Sequence, residues 1–144
     1  MTVTADDIVK YARSWIGTPW RHQGRNRAGI DCAGLLIVTA KHFELPYEDM
    51  TGYRRDPGRA FQEKIEAHTL SHRHPIHGAI AIFSDTSQPC HTGIIAVENG
   101  RITVIHSEAS PHRRVHEEGF DDSQPSLKSR LISVRLFNGV KYGL

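Results

Sequence analysis

The chain has 144 residues, 38% of them hydrophobic, with 18 Lys+Arg against 16 Asp+Glu for a formal charge of +2. No run approaches the ~18 apolar residues of a membrane helix, and no basic run or stripe argues for nucleic acid. Two cysteines, Cys32 and Cys90, are too few for a disulfide framework. The length suits one domain over residues 1–144, large enough to fold without staples. The opening MTVTADD has neither a basic n-region nor an apolar h-region, so no signal peptide is expected in this chain.

Residues 4–16 have helical spacing. Ile8, Tyr11, Ala12, Trp15 and Ile16 fall at i, i+3, i+4, i+7 and i+8, Thr4 and Asp7 form a capping-box pattern, and Gly17 is a stop. Residues 18–30 are loop-like. A second helix is predicted from Asp31 or Cys32 to about Phe43, with Cys32, Leu35, Leu36, Ala40 and Phe43 as its apolar stripe. Thr39 is the one polar member, and its hydroxyl can bond a carbonyl one turn earlier. After a polar connection over 44–56, Asp56 as cap and Pro57 in the first turn start a third helix, with Ala60, Phe61, Lys64, Ile65 and His68 facing inward.

The grammar changes after Leu70. Residues 77–85 read as a short buried strand. The β-rich runs 91–98 and 101–108 flank Asn99-Gly100, a strong signal for a two-residue type I′ hairpin. Residues 109–130 read as loop, and 131–137 alternates as a last strand. Helices first and an antiparallel sheet from residue 78 onward make an α+β fold.

The hairpin sets a register in which opposed residues sum to 199. His91, Gly93 and Ile95 then share a face with Val104, His106 and Glu108, and Cys90 points to the other face. His91 and His106 become diagonal neighbours, with Gly93 opposite His106 leaving room for an imidazole. Two such histidines can equally be partly exposed residues of a solvated strand. Cys32 changes the balance. A lone cysteine is most often a buried structural thiol, but this one opens a helix, where the dipole and free amides favour a thiolate. Together the three make a nucleophile, a base and an orienting residue: Cys32 attacks, His91 takes and returns the proton, and His106 holds the far nitrogen of His91. The expectation is an activated Cys32 thiol, facing His91 on the side of the sheet that meets the helix.

The motifs WIGTPWRHQG (15–24), IDCAGLL (30–36), HGAIAIF (77–83), HTGIIAVENGRI (91–102) and VIHSEAS (104–110) together resemble the NlpC family of papain-like bacterial cell-wall cysteine peptidases. WIGTPWRHQ is similar to the subset found in phage tails and gene transfer agents. The resemblance implies a papain-like core with the nucleophile helix packed on the sheet. It also implies a Cys32–His91–His106 triad and cleavage of peptidoglycan stem peptides, commonly at D-γ-glutamyl–diamino acid bonds. Phage tail proteins are implied partners. Two positions depart from the pattern: His22 stands where the family often has a tyrosine helping the oxyanion site, and Ala33 replaces a serine. The alternative is a non-catalytic structural or interaction module of a phage tail tip.

Asp31 can cap the helix or bind the free amine of a stem peptide. Arg21, with Arg25 and Arg27, can meet substrate carboxylates or remain solvated. His72, His74 and His77 form H-x-H-x-x-H, but no well-spaced second pair completes a zinc site, so neither metal nor cofactor is expected. The expected location is the cytoplasm on synthesis, with a virion or the cell envelope as destination.

Overall fold

The structure, a computed structural model, describes residues 2–54, 58–84 and 89–144, with the backbone alone at 89 and 90. The Asp56 cap, Pro57 and the face taken by Cys90 lie outside the described residues.

Among the described residues four helices form in chain order: α1 (Ala5–Arg13), α2 (Cys32–His42), α3 (Gly58–His68) and the short α4 (Leu127–Arg130). Thr4 caps α1 through the capping box expected of it, its hydroxyl accepting from the Asp7 amide while the Asp7 carboxylate accepts from the Thr4 amide. The helix stops earlier than the apolar spacing suggests. From Ser14 the chain tightens into i→i−3 bonds, with the Trp15 amide on Ala12 O and the Ile16 amide on Arg13 O. Three residues per turn instead of 3.6 rotate Ile16 out of the stripe, and it is exposed while Trp15 stays buried. In α2, Thr39 Oγ1 donates to Leu35 O at 2.7 Å, as its place in the stripe predicts. In α3, Phe61 and Ile65 are buried but Ala60 is exposed. Lys64 and His68 reach the Glu48 carboxylate rather than the core.

Ten strands make up the rest of the regular structure among the described residues. Short pairs join β1 (Val3–Thr4) to β10 (Val140–Lys141) and β2 (Arg25–Asn26) to β3 (Gly29–Ile30). The main antiparallel sheet holds β4 (Thr69–His72), β5 (Ile80–Ser84), β6 (Pro89–Glu98), β7 (Arg101–Glu108), β8 (Arg114–Gly119) and β9 (Leu131–Phe137), in the order β4-β9-β5-β6-β7-β8. The α+β expectation is met. The sheet is larger than expected at both edges, because β4 lies before residue 78 and β8 and α4 lie within the expected loop 109–130. Both added strands are edges. Leu70 of β4 is 52% exposed, and β8 buries a single apolar side chain, Val115, so neither carries the buried alternation that marks an inner strand.

One face of the sheet, with Ile80, Ile82, Ile94 and Ile105, packs against Ile8, Leu35 and Phe61 of the three long helices. The other face, with Ala81, Phe83, Ile95 and Val104, packs against Phe120 and Leu127. Burying such side chains contributes roughly 1.5–3 kcal/mol each, so both faces hold the sheet in place.

Candidate active site

The start of α2 is set by one carboxylate. Asp31, extended at φ −102° and ψ −176°, is the N-cap. Its Oδ1 accepts from the Gly34 amide at 2.8 Å and from Arg25 Nη1 at 2.9 Å. Its Oδ2 accepts from the Gln23 amide at 2.8 Å and from the Tyr53 hydroxyl at 2.5 Å. Arg25 in turn donates to Asp49 at 3.0 Å and to the Tyr53 oxygen at 2.8 Å. Asp31 is 1% exposed. Its position calls for such company, since a buried carboxylate is tolerated only when paired and hydrogen-bonded. This is the capping role read from sequence, extended into a network that joins the loop before α2 to the connection after it.

The helix start is seated on two strands. Thr92 Oγ1 of β6 donates to Cys32 O at 3.2 Å, and Ser107 Oγ of β7 donates to Ile30 O at 2.6 Å. Beside these tethers stand the histidines. The β6–β7 ladder runs from Glu98↔Arg101 to Ile94↔Ile105, in the register that Asn99-Gly100 predicts. Asn99 (φ 52°) and Gly100 (φ 76°) supply the two positive φ values of the I′ turn. Beyond that ladder each strand stays paired to its outer neighbour, β6 through Phe83↔His91 and β7 through His106↔His116 and Glu108↔Arg114. His91 Nε2 and His106 Nδ1 lie 2.6 Å apart, with ring planes at 74°. Gly93 makes room for them. A Cβ there would come within 3.1 Å of His106 Cβ and 2.5 Å of Val104 Cγ1.

The two histidines share a face as expected, but it is not the face that packs on the helices. His91 sits with Phe83, its ring 6.0 Å away, on the side occupied by Ile95 and Val104. Thr92 and Ser107 are the residues that reach the helix side. Strand alternation requires this, because the ladder puts Ile94 and Ile105 toward the helices and therefore 91, 93, 104 and 106 away from them.

Burial and the neighbouring Asp31 carboxylate push the Cys32 thiol up to about 12, while hydrogen bonds from Thr92 and the Ala33 amide pull it the other way. The direction is opposite to the activated thiol expected from the helix dipole. The carboxylate that caps the helix offsets the dipole at that very point. His91 is held well below the ordinary imidazole value, first by burial, then by His106 and Arg130. Thiol and imidazole are therefore each neutral at rest.

Around this centre, His22 is exposed in the loop, with Nε2 2.9 Å from Tyr53 O and its ring stacked on Trp20. Arg21 is exposed, its stem lying over Gly29. Arg25 is taken up by Asp31 and Asp49. Arg27 lies over the Trp15 ring at 3.7 Å and donates to Ser14 O. His77 is engaged with Asp6 at 3.1 Å and accepts from the Val97 amide, leaving His72 and His74 edge to face. Two residues escaped the sequence reading. Tyr53 lies in an irregular polar segment, 22 residues from the carboxylate it bonds. Arg130 lies in a stretch read as loop, yet its charge bears on His91 and its Nε is buried without a hydrogen-bond partner.

This architecture has counterparts among solved structures. The NlpC/p60 domain of the peptidoglycan hydrolase SagA aligns with a TM-score of 0.60 at 19% identity, over 92% of this chain and 98% of that one. An NlpC/P60 family protein from Bacillus cereus aligns with a TM-score of 0.71 at 20% identity, over 95% of this chain and 41% of that one. NlpC2 from Trichomonas vaginalis aligns with a TM-score of 0.68 at 17% identity, over 92% of this chain and 46% of that one. The fold is the papain-like NlpC/P60 fold. In sequence, the chain is 44% identical over 39 residues to the probable endopeptidase NlpC of Escherichia coli (strain K12), covering 25% of each protein. It thus spans a quarter of that curated relative's length, and no family model matches it.

Proposed function

We propose that this chain is a cysteine hydrolase of the NlpC/P60 kind that cleaves peptidoglycan stem peptides, with Cys32 as nucleophile, His91 as base and His106 as the residue that orients it. The observation that supports this best is the 2.6 Å His91–His106 contact on the two strands that also tether the Cys32 helix start. The partial likeness to a probable endopeptidase points the same way.

With thiol and imidazole both neutral, His91 acts as a general base during attack. Cys32 Sγ bonds to the scissile carbonyl carbon as its proton passes, through one water, to His91, whose ring lies on the other face of β6. A backbone amide at the start of α2 receives the developing oxyanion. The C–N bond then breaks, and His91 returns the proton to the leaving amine. Water, deprotonated by His91, cleaves the thioester to a carboxylic acid and the free thiol. His106 holds the His91 ring and its tautomer, and Asp31 positions the helix start. The exposed His22 and Arg21 contact the substrate. The bond assigned is the D-γ-glutamyl–diamino acid linkage, in a phage-tail or prophage setting that delivers the domain to the cell envelope.

Mass spectrometry of purified muropeptides incubated with the protein tests this. The wild type releases a free amine at that linkage, Cys32→Ala abolishes release, and His91→Ala lowers the rate by about 10²–10⁴-fold. His106→Ala loses less than His91→Ala. Intact muropeptides after prolonged incubation with folded wild-type protein would favour the non-catalytic tail-tip module instead.

A further inference from the structure

We propose that Glu108, His112, His116 and Glu118 form a site for one divalent transition-metal ion of the zinc class, next to His106. The set arises from hairpin geometry rather than sequence spacing. In the β7–β8 ladder His106 opposes His116, Glu108 opposes Arg114 and Val104 opposes Glu118. Alternation therefore puts Glu108, His116 and Glu118 on one face. His112, in the turn between the strands, folds back so that its ring stacks on His116 with centroids 3.9 Å apart.

The donor atoms converge. His116 Nε2 is 2.9 Å from Glu108 Oε1 and 3.5 Å from Glu118 Oε2. His112 Nδ1 is hydrogen-bonded to the same Glu108 oxygen. One donor atom from each of the four residues lies within 4.8 Å of all the others. Tetrahedral zinc, with bonds of about 2.0–2.2 Å, needs its ligand atoms roughly 3.3–3.6 Å apart. Side-chain rotation at the exposed His112 and the half-buried glutamates covers that difference.

A second observation points to a ligand. His116 is 9% exposed, and its Nε2 contacts two carboxylate oxygens, Glu108 Oε1 at 2.9 Å and Glu118 Oε2 at 3.5 Å, at angles poor for a hydrogen bond to either. Buried polar atoms are rarely left so. A nitrogen set between two carboxylate oxygens without hydrogen-bond geometry to either suits a shared cation at their centre. Two imidazoles with two carboxylates are a donor set that zinc accepts, and the ion's charge balances the two glutamates. His106 packs on the inner side of the cluster, its ring centroid 4.6 Å from that of His116 and its Nε2 3.9 Å from Glu118 Oε2.

Zinc content and calorimetry on chelator-stripped full-length protein test the site without any peptidase assay. After ZnCl2 addition and gel filtration, the wild type should retain one zinc per chain. His112→Ala and Glu118→Gln should each weaken binding by about tenfold or more, while Cys32→Ala and the double variant His72→Ala/His74→Ala bind as wild type. Circular dichroism of each variant confirms its fold. His112 is exposed in a turn, so its replacement leaves the fold intact. No retained zinc in the wild type would overturn the proposal. So would binding that survives His112→Ala and Glu118→Gln, or that vanishes only with Cys32→Ala, which would put the ion on the thiol.

Discussion

Two polar clusters flank the proposed Cys32–His91–His106 centre, and they are built to opposite rules. Around Asp31 each carboxylate oxygen has two donors, so the cluster is closed. Around His116 the groups crowd together, yet its buried Nε2 meets the Glu108 and Glu118 oxygens off the line of a good hydrogen bond. A satisfied network in a low-dielectric setting stiffens what it holds, whereas a partly satisfied one stays open to an additional partner. The first cluster is thus suited to positioning the helix start and the second to receiving a ligand.

The contrast can be broken by substitution. Asp31→Ala removes the cap and leaves Arg25 without its buried partner. Such losses cost about 3–5 kcal/mol, which urea denaturation would read as a large fall in midpoint. Asp31→Asn keeps an acceptor at the cap but removes the charge that raises the Cys32 thiol. Its iodoacetamide labelling curve should move to lower pH than that of the wild type. The sign for stability follows from the same shift. A thiol near 8.5 when unfolded and raised to about 12 in the fold contributes fully below about pH 8.5 and is lost as pH rises toward about 12. Wild-type stability should therefore decline over that alkaline window more steeply than that of Asp31→Asn. The smallest effect belongs to the open cluster. In metal-free protein His112→Ala should shift unfolding by no more than about 0.5 kcal/mol. A loss comparable to that of Asp31→Ala would show that the two clusters are not different in kind.

The sequence made much of this visible where local chemistry dictates local shape. Asn99-Gly100 can take two positive φ values cheaply, so the turn, the register and the His91–His106 neighbourhood all followed from one dipeptide. Thr4 and Asp31 announced their caps because a side-chain acceptor at a helix start has little else to bond. What stayed hidden depends on tertiary pairing. β4 and β8 are edges whose outward faces carry no burial pattern. Tyr53 meets Asp31 only because an irregular segment folds back over the loop. The upward push on the thiol was hidden because burial, and after it the charge of the cap, work against the dipole. Glu108, His112, His116 and Glu118 look scattered until strand pairing sets three of them on one face.

The loop before α2 meets the helix through glycine. A Cβ on Gly34 would lie 2.3 Å from Gly24 O, and one on Gly24 would lie 2.3 Å from Gly29 O. Main chain thus rests directly on main chain, three layers deep, with no side chain between. Peptide groups have fixed dimensions and no rotamers, so this stack works as a gauge block. It sets the height of the helix start by covalent geometry, and the thiol stands on a datum that side-chain repacking elsewhere in the core does not move.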